Sequence, residues 1–134
     1  MSMQDERIRK VLGKNCRRNR ENALRFLRHL MAALSVPCHL ICLEHFPWEA
    51  PFLDGGWDDE RYHQLKRHNP SMADEFELLD LLPPEEGGDD LIASIRRLSD
   101  DMTFEVGLSL LACNDAAGDN PLLIDDYTVW YGTY

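Results

Sequence analysis

Long apolar runs are missing from this sequence of 134 residues. No segment approaches the roughly 20 apolar residues that a helix needs to cross a bilayer. Residues 1–10 also lack the apolar stretch of a secretory signal peptide. We therefore expect a soluble, non-secreted protein that makes no membrane contact and is located in the cytoplasm.

Cysteine is scarce, and its spacing is irregular. The chain has four cysteines: Cys16, Cys38, Cys42 and Cys113. They follow no disulfide framework, so we expect reduced thiols. A zinc site at Cys38, Cys42 and His45, completed by His39 or Cys113, would lack the paired Cys-x-x-Cys knuckle. On an extended strand His45 would also face away from the two cysteines. The simpler interpretation is that these cysteine and histidine side chains pack against other residues and bind no metal.

Recognisable catalytic motifs are also missing. No serine lies in a nucleophile elbow, and the glycine pairs 55–56 and 87–88 lack the phosphate-loop pattern and its lysine. Cys42 with His45 or His63 and an aspartate is one alternative, and a hydrolase with cleft carboxylates is another. With five histidines and 24 acidic residues in the chain, such a trio is expected by chance. A binding protein is therefore favoured over an enzyme.

The charge is strongly divided along the chain. Residues 1–37 contain nine Lys/Arg and three acidic residues, a net charge of +6. Residues 38–134 contain five Lys/Arg and 21 acidic residues, a net charge of −16, so the whole chain has a net charge of −10. One interpretation places the basic segment against the acidic body. In the other, the basic segment meets an external anionic surface, although nucleic acid is disfavoured because the rest of the chain repels phosphate. An acidic immunity-type protein that neutralises a basic partner is a further alternative.

Hydrophobic periodicity predicts a single α+β domain. An amphipathic helix is predicted over residues 19–34 and ends before Pro37. A buried strand follows over residues 38–44, then an ordered aromatic loop to residue 56 and a short helix over residues 57–67. Further strands are predicted at 76–82, 91–98, 102–106 and after Gly107, and a docked terminal element at 121–131. We predict a small, bent antiparallel sheet or barrel capped by the N-terminal helix over residues 16–134. Residues 1–15 are expected to form a basic arm that could be mobile.

Acidic side chains suggest calcium as a ligand, because calcium takes six to eight oxygen ligands and can collect them from flexible loops. No loop reproduces the EF-hand spacing. The candidate calcium ligands are Asp100, Asp101, Asp115, Asp119, Asp125 and Asp126. Solvated acidic loops without a bound ion are the alternative.

Aromatic residues next to prolines suggest a protein-binding surface. Phe46, Trp48 and Trp57 are the candidate residues for contact with a protein partner, because aromatics in an exposed loop can form a shallow peptide groove. The alternative is that they fold inward and cover the core.

Four segments resemble the small bacterial calcium-binding proteins of the CcbP type and their uncharacterised relatives. They are residues 46–49 (Phe-Pro-Trp-Glu), 96–100 (Arg-Arg-Leu-Ser-Asp), 104–106 (Phe-Glu-Val) and 123–131 (Leu-Ile-Asp-Asp-Tyr-Thr-Val-Trp-Tyr), within a similarity over residues 22–134. The resemblance implies an SH3-like bent sheet with a helix, and it suggests low-affinity calcium binding by surface carboxylates. It explains neither the basic N-terminal region nor the cysteine-rich first strand, and no ligand set transfers position by position.

Overall fold

The computed structural model describes residues 2–55 and 58–134 and confirms the α+β class. The helices of this part are α1 (Met3–Leu12), α2 (Arg20–Ala33), α3 (Ala50–Gly55), α4 (Asp59–Lys66) and α5 (Asn120–Thr133). The strands are β1 (His39–Cys42), β2 (Glu75–Leu82), β3 (Ile92–Arg97), β4 (Thr103–Gly107) and β5 (Leu111–Cys113). None of these helices combines the length and the apolar character needed to traverse a bilayer.

The five strands form one antiparallel sheet in the order β4-β3-β2-β1-β5. The predicted bent sheet is therefore present, but the barrel alternative is wrong, because β4 and β5 lie at opposite edges and do not pair. The SH3-like description of the sheet stays a prediction. The predicted strand bounds agree with β2, β3 and β4 within one residue at each end, because alternating burial along these strands follows the two-residue period.

The predicted N-terminal amphipathic helix is α2, whose buried face includes Phe26 and Leu30. The Phe26 ring lies 5.4 Å from Tyr127 and 5.2 Å from Trp130 on α5, centroid to centroid. All three aromatic side chains are fully buried, so their contacts join α2 to the C-terminal helix. Residues 3–12 form α1, which buries Ile8 in the same core. The mobility expected of residues 1–15 stays a prediction.

Residues 43–74 connect β1 to β2, and we call this segment the aromatic insertion. Its described part is more regular than expected. The sequence predicts an ordered loop up to residue 56, but Pro47 begins a 3-10 turn and Pro51 lies in the first turn of α3. Proline is tolerated there because the first N–H groups of a helix have no intrahelical acceptor. The helix predicted over residues 57–67 is α4, whose N-cap Asp58 accepts a hydrogen bond from the backbone N–H of Arg61 (3.0 Å).

Candidate functional site

The six carboxylates predicted to bind calcium lie in three separate places. Asp100 and Asp101 follow β3, Asp115 and Asp119 lie between β5 and α5, and Asp125 and Asp126 lie on α5. Among residues 2–55 and 58–134, no three of these carboxylates come within 4.8 Å of one another. The structure does not assemble them into one ligand set, and their role stays a prediction.

Arginines of β3 occupy both carboxylates of the β3–β4 turn. Arg97 donates to both carboxylate oxygens of Asp100, at 3.0 and 2.8 Å, and Arg96 pairs with Asp101. The hydrogen bonds from Arg97 lower the pKa of Asp100, with a further contribution from the backbone N–H of Met102. A cation at this turn would compete with two arginines that are already in place.

The N-terminal helix occupies the carboxylates of α5 in a similar way. Gln4 donates to Asp125 at 2.8 Å and to Asp126 at 3.0 Å. Arg7 Nε lies 2.8 Å from Asp126, which is only 6% exposed. The hydrogen bond to Asp126 raises the pKa of Arg7.

Several of the basic N-terminal residues face the body of the protein. Arg18 pairs with Asp89 at 3.2 Å and lies over the ring of Tyr131. Arg20 donates to the backbone carbonyls of residues 84 and 85, at 2.9 and 3.0 Å. With Arg7 on Asp126, these contacts support the interpretation that the basic segment neutralises part of the acidic body. The predicted absence of nucleic-acid binding stays a prediction.

Four other carboxylates line one open cleft of about 300 Å³ between the β2–β3 connection, β4 and α5. They are Glu85, Asp89, Asp90 and Glu105, and we call this site the acidic cleft. Within the described part of the chain, the Glu85 and Glu105 side chains have no hydrogen bond or ion pair. The acidic cleft therefore offers two uncompensated carboxylates to solvent.

Asp90 is the most firmly held carboxylate of the acidic cleft. Its oxygens accept hydrogen bonds from Tyr127 Oη (2.7 Å), Ser109 Oγ (2.6 Å) and the Ser109 backbone N–H (3.2 Å). Burial raises the pKa of Tyr127, and the nearby charge of Asp90 raises it further. Gly107 lies against this carboxylate, because a Cβ atom at that position would collide with Asp90 Oδ2.

The calcium ligands predicted from the sequence include none of these four carboxylates, and residues 85–90 are not connected with Glu105 by local sequence. The pairing of β3 with β4 makes this connection, because Ile92 lies opposite Gly107 and the acidic residues that precede β3 lie beside the end of β4. Hairpin register could have suggested it, since residues on either side of a short turn face each other.

A second group of metal-ligating atoms lies between β1, β5 and α5. One ligand atom from each of Cys38, Cys113 and Asp115 lies within 4.8 Å of the others, and we call this group the thiol cluster. The thiol of Cys38 donates to Cys113 Sγ across 3.7 Å. Burial raises the pKa of both thiols. The sequence-based zinc alternative included Cys38 and Cys113 but not Asp115.

The other thiol proposed for chemistry lies elsewhere. Cys42 donates to the backbone carbonyl of Ser71 at 3.7 Å. Burial raises the pKa of the Cys42 thiol to about 12, and Glu49 and Asp74 raise it too. In the described residues no hydrogen bond joins Cys42 to a histidine. The hydrolase alternative, with cleft carboxylates or Cys42, stays a prediction.

Two of the three candidate partner-binding aromatics, Phe46 and Trp48, lie in the described part of the chain, and both pack against other residues. Phe46 is 3% exposed and packs in the core, which agrees with the inward-folding alternative. Its role in contact with a partner stays a prediction. Trp48 is half-buried, stacks on Tyr62 at 5.4 Å and donates through Nε1 to the Pro70 carbonyl at 2.6 Å. Trp57 lies outside the described residues, and the protein partner stays a prediction.

Buried Glu49 organises this insertion. Its fully buried carboxylate accepts hydrogen bonds from the backbone N–H groups of Phe46 (3.0 Å) and Met72 (2.9 Å). It also accepts from the hydroxyls of Tyr62 and Ser71. A buried carboxylate needs such donors to replace its hydration, so Glu49 has a structural role.

No protein-family model matches the sequence, and no curated protein matches it at a significant level. Two solved structures share its fold. The crystal structure of Anabaena CcbP has a TM-score of 0.60 at 15% identity, over 96% of this chain and 89% of that chain. A calcium binding protein in the calcium-binding form has a TM-score of 0.60 at 16% identity, over 98% and 96%. The resemblance to the CcbP type is confirmed at the level of the fold.

Proposed function

We propose that this protein binds calcium with low affinity and that the acidic cleft is the principal site. The observation that carries the proposal is the convergence of Glu85, Asp89, Asp90 and Glu105 on one solvent-accessible cleft. The fold supports it, because two solved structures with this fold are described as CcbP and as a calcium binding protein.

The ligand chemistry fits calcium better than a transition metal. The acidic cleft offers carboxylate oxygens, with the backbone of Gly88 and Gly107 at its wall, and calcium prefers six to eight oxygens at about 2.3–2.6 Å. Glu85 and Glu105 are exposed, so they can move toward an ion while water completes the coordination shell.

The same geometry explains why the affinity should be low. No three carboxylates of the acidic cleft lie within 4.8 Å of one another in the described chain, so binding must draw like charges together. Arg18 also pairs with Asp89 at 3.2 Å and competes for that carboxylate. We expect a dissociation constant on the order of 0.1–1 mM, which is the range of weak calcium modules.

Amide NMR with added calcium tests this proposal directly. Saturable shifts should be localised to residues 85–90 and 105–109. Glu85→Gln and Glu105→Gln should each weaken binding about tenfold, which corresponds to about 1.4 kcal/mol. Glu86→Gln is the matched control, because Glu86 is an exposed neighbour that does not line the acidic cleft.

The outcomes separate three cases. Uniform shifts that do not saturate would contradict calcium binding. Saturable shifts at residues 100–101 or 115–126 would contradict the acidic cleft and support the carboxylates predicted from the sequence. Equal weakening by Glu86→Gln would indicate a general effect of charge instead of coordination.

A further inference from the structure

We propose that Cys38, Cys113 and Asp115 form a second cation site, which takes a thiophilic divalent metal such as zinc. This thiol cluster lies between β1, β5 and the loop before α5, at residues that the proposed calcium site does not use. The inference does not depend on calcium binding.

Strand register brings the three ligands together. Leu40 of β1 lies opposite Cys113 of β5, so an extension of the same pairing places position 38 opposite position 115. The backbone N–H of Asn114 donates to the His39 carbonyl at 3.1 Å, which shows that pairing continues past the strand end. Because side chains alternate along a strand, Cys38 and Cys113 lie on the same face as Leu40.

The sulfur geometry already fits tetrahedral coordination. Two thiolates at the usual zinc–sulfur distance of about 2.3 Å, at a tetrahedral angle, lie about 3.8 Å apart. The separation of Cys38 Sγ and Cys113 Sγ is 3.7 Å. A metal ion could therefore bridge the sulfur atoms without a change in their separation.

Asp115 is held in position for a third ligand. One carboxylate oxygen accepts from the backbone N–H of His39 at 3.0 Å, and the other accepts from Asn120 Nδ2 at 3.1 Å. Asn120 is itself fixed by Ser35, whose backbone N–H and carbonyl bind the amide at 2.9 and 2.7 Å. Such contacts behind a ligand orient it and increase metal affinity.

The site has a route to solvent. Cys38 is fully buried, but Cys113 lines an open cleft of about 480 Å³ together with Pro121, Leu122, Asp125 and Thr128. A metal ion can enter through this cleft, and water there can supply the fourth ligand. The carboxylate of Asp125 adds negative charge on the route of entry.

Proton loss is the main cost of metal binding here. An ordinary cysteine thiol is largely protonated near pH 7, and the Cys38 thiol donates to Cys113 Sγ across 3.7 Å. Coordination to a divalent ion deprotonates a thiol outright, because the ion replaces the proton as the compensating charge. Each bound metal ion should therefore release two protons from the two thiols.

Cobalt substitution tests the proposal on the reduced, full-length protein under anaerobic conditions. One equivalent of Co²⁺ should produce a thiolate-to-cobalt charge-transfer band and the visible bands of tetrahedral cobalt, and zinc should displace the cobalt. Excess calcium should leave these bands unchanged, because calcium prefers oxygen ligands.

Variants assign the ligands. Cys113→Ser, which changes a half-buried position, should halve the charge-transfer intensity at saturation, because one thiolate is left. Asp115→Asn should keep both thiolate contributions and weaken cobalt binding about tenfold or more. Cys42→Ser is the control, because this β1 thiol contacts the Ser71 carbonyl and lies outside the thiol cluster.

Three results would overturn the proposal. The first is the absence of a charge-transfer band in the reduced protein. The second is a band that Cys113→Ser leaves unchanged or that Cys42→Ser removes equally. The third is wild-type cobalt affinity in Asp115→Asn, which would leave only a pair of neighbouring thiols.

Discussion

Replacement of Arg97 by methionine should destabilise the fold far more than the same replacement of its neighbour Arg96. The Arg97 side chain is 4% exposed and pairs with Asp74 at 3.0 Å and with Asp100 at 2.8 Å. The Arg96 side chain, on the opposite face of β3, is 31% exposed and pairs with Glu77 at 2.6 Å. The two arginines are adjacent in sequence but differ in burial and in their contacts with backbone carbonyls.

Arg97 connects the aromatic insertion to the sheet. Its guanidinium donates to the backbone carbonyls of Lys66 (2.9 Å), Arg67 (3.1 Å) and Asn69 (3.0 Å), at and just beyond the C-terminal end of α4. These carbonyls lack intrahelical donors, and a cation here also interacts favourably with the helix dipole. The guanidinium lies 5.1 Å from the centroid of the Phe104 ring.

The expected loss of stability follows from the carboxylates that Arg97→Met leaves without a partner. Removal of one partner from a buried ion pair costs about 3–5 kcal/mol, and Asp74 in this pair is 16% exposed. Asp100 is 42% exposed, so water can hydrate its carboxylate once Arg97 is replaced. We therefore expect Arg97→Met to lower the free energy of unfolding by about 3 kcal/mol, the lower end of this range. Arg97→Lys keeps the charge but not the planar fork, so its loss should be about 2 kcal/mol. Arg96→Met should cost less than about 1 kcal/mol.

Urea denaturation measures the free energy of unfolding of all three variants, and amide hydrogen exchange provides an independent readout. Protection of α4 should decrease in Arg97→Met and stay unchanged in Arg96→Met, because the carbonyls bound by Arg97 lie at the end of this helix. The reasoning is refuted if Arg97→Met costs no more than Arg96→Met, or if α4 keeps its protection.

Two further predictions concern calcium binding and acid stability. Gly107→Ala should weaken calcium binding about tenfold, because the added methyl group would displace the Asp90 carboxylate; isothermal titration calorimetry measures this. Gly132→Ala, at a helical site with open space, should bind like the wild type, and equal affinity in both variants would contradict the prediction. The hydrogen bonds from Arg97 lower the pKa of Asp100 below its ordinary value of 3.8. The stability that Asp100 contributes is therefore present above about pH 4 and is lost as the pH falls through the lower folded value. Asp100→Asn should reduce the acid-induced loss measured by urea denaturation below about pH 4, and an unchanged pH dependence would contradict this.

Local periodicity predicted the elements that bury one face against the core. Residues 19–34 were predicted as a helix and form α2, and residues 76–82 were predicted as a strand and form β2. The helix at the C-terminus was missed as a helix, although its docking was expected. Its sequence contains Tyr127, Val129 and Trp130, which favour strands, so its composition obscured the helical spacing of Ile124, Tyr127 and Trp130.

The sites depend on contacts that periodicity does not encode. Cys38 and Cys113 are 75 residues apart and meet only because β5 returns to pair with β1 at the edge of the sheet. From the sequence alone, several strand orders could bury the same apolar faces, and only those that pair β5 with β1 bring these thiols together. Glu105 depends on a shorter connection, because the β3–β4 hairpin alone sets its register with the residues that precede β3.

The charge division along the chain has a consequence for cation binding. Arginines of the N-terminal region pair with Asp89 and Asp126, so part of the negative charge is neutralised inside the molecule. In the described residues the Glu85 and Glu105 side chains lack such partners, so these exposed carboxylates carry the uncompensated charge of the acidic cleft. The thiol cluster instead has two sulfur atoms in a confined setting. Because hard cations select oxygen and soft cations select sulfur, calcium and zinc should bind these two places independently, and saturation of one should leave the affinity of the other unchanged.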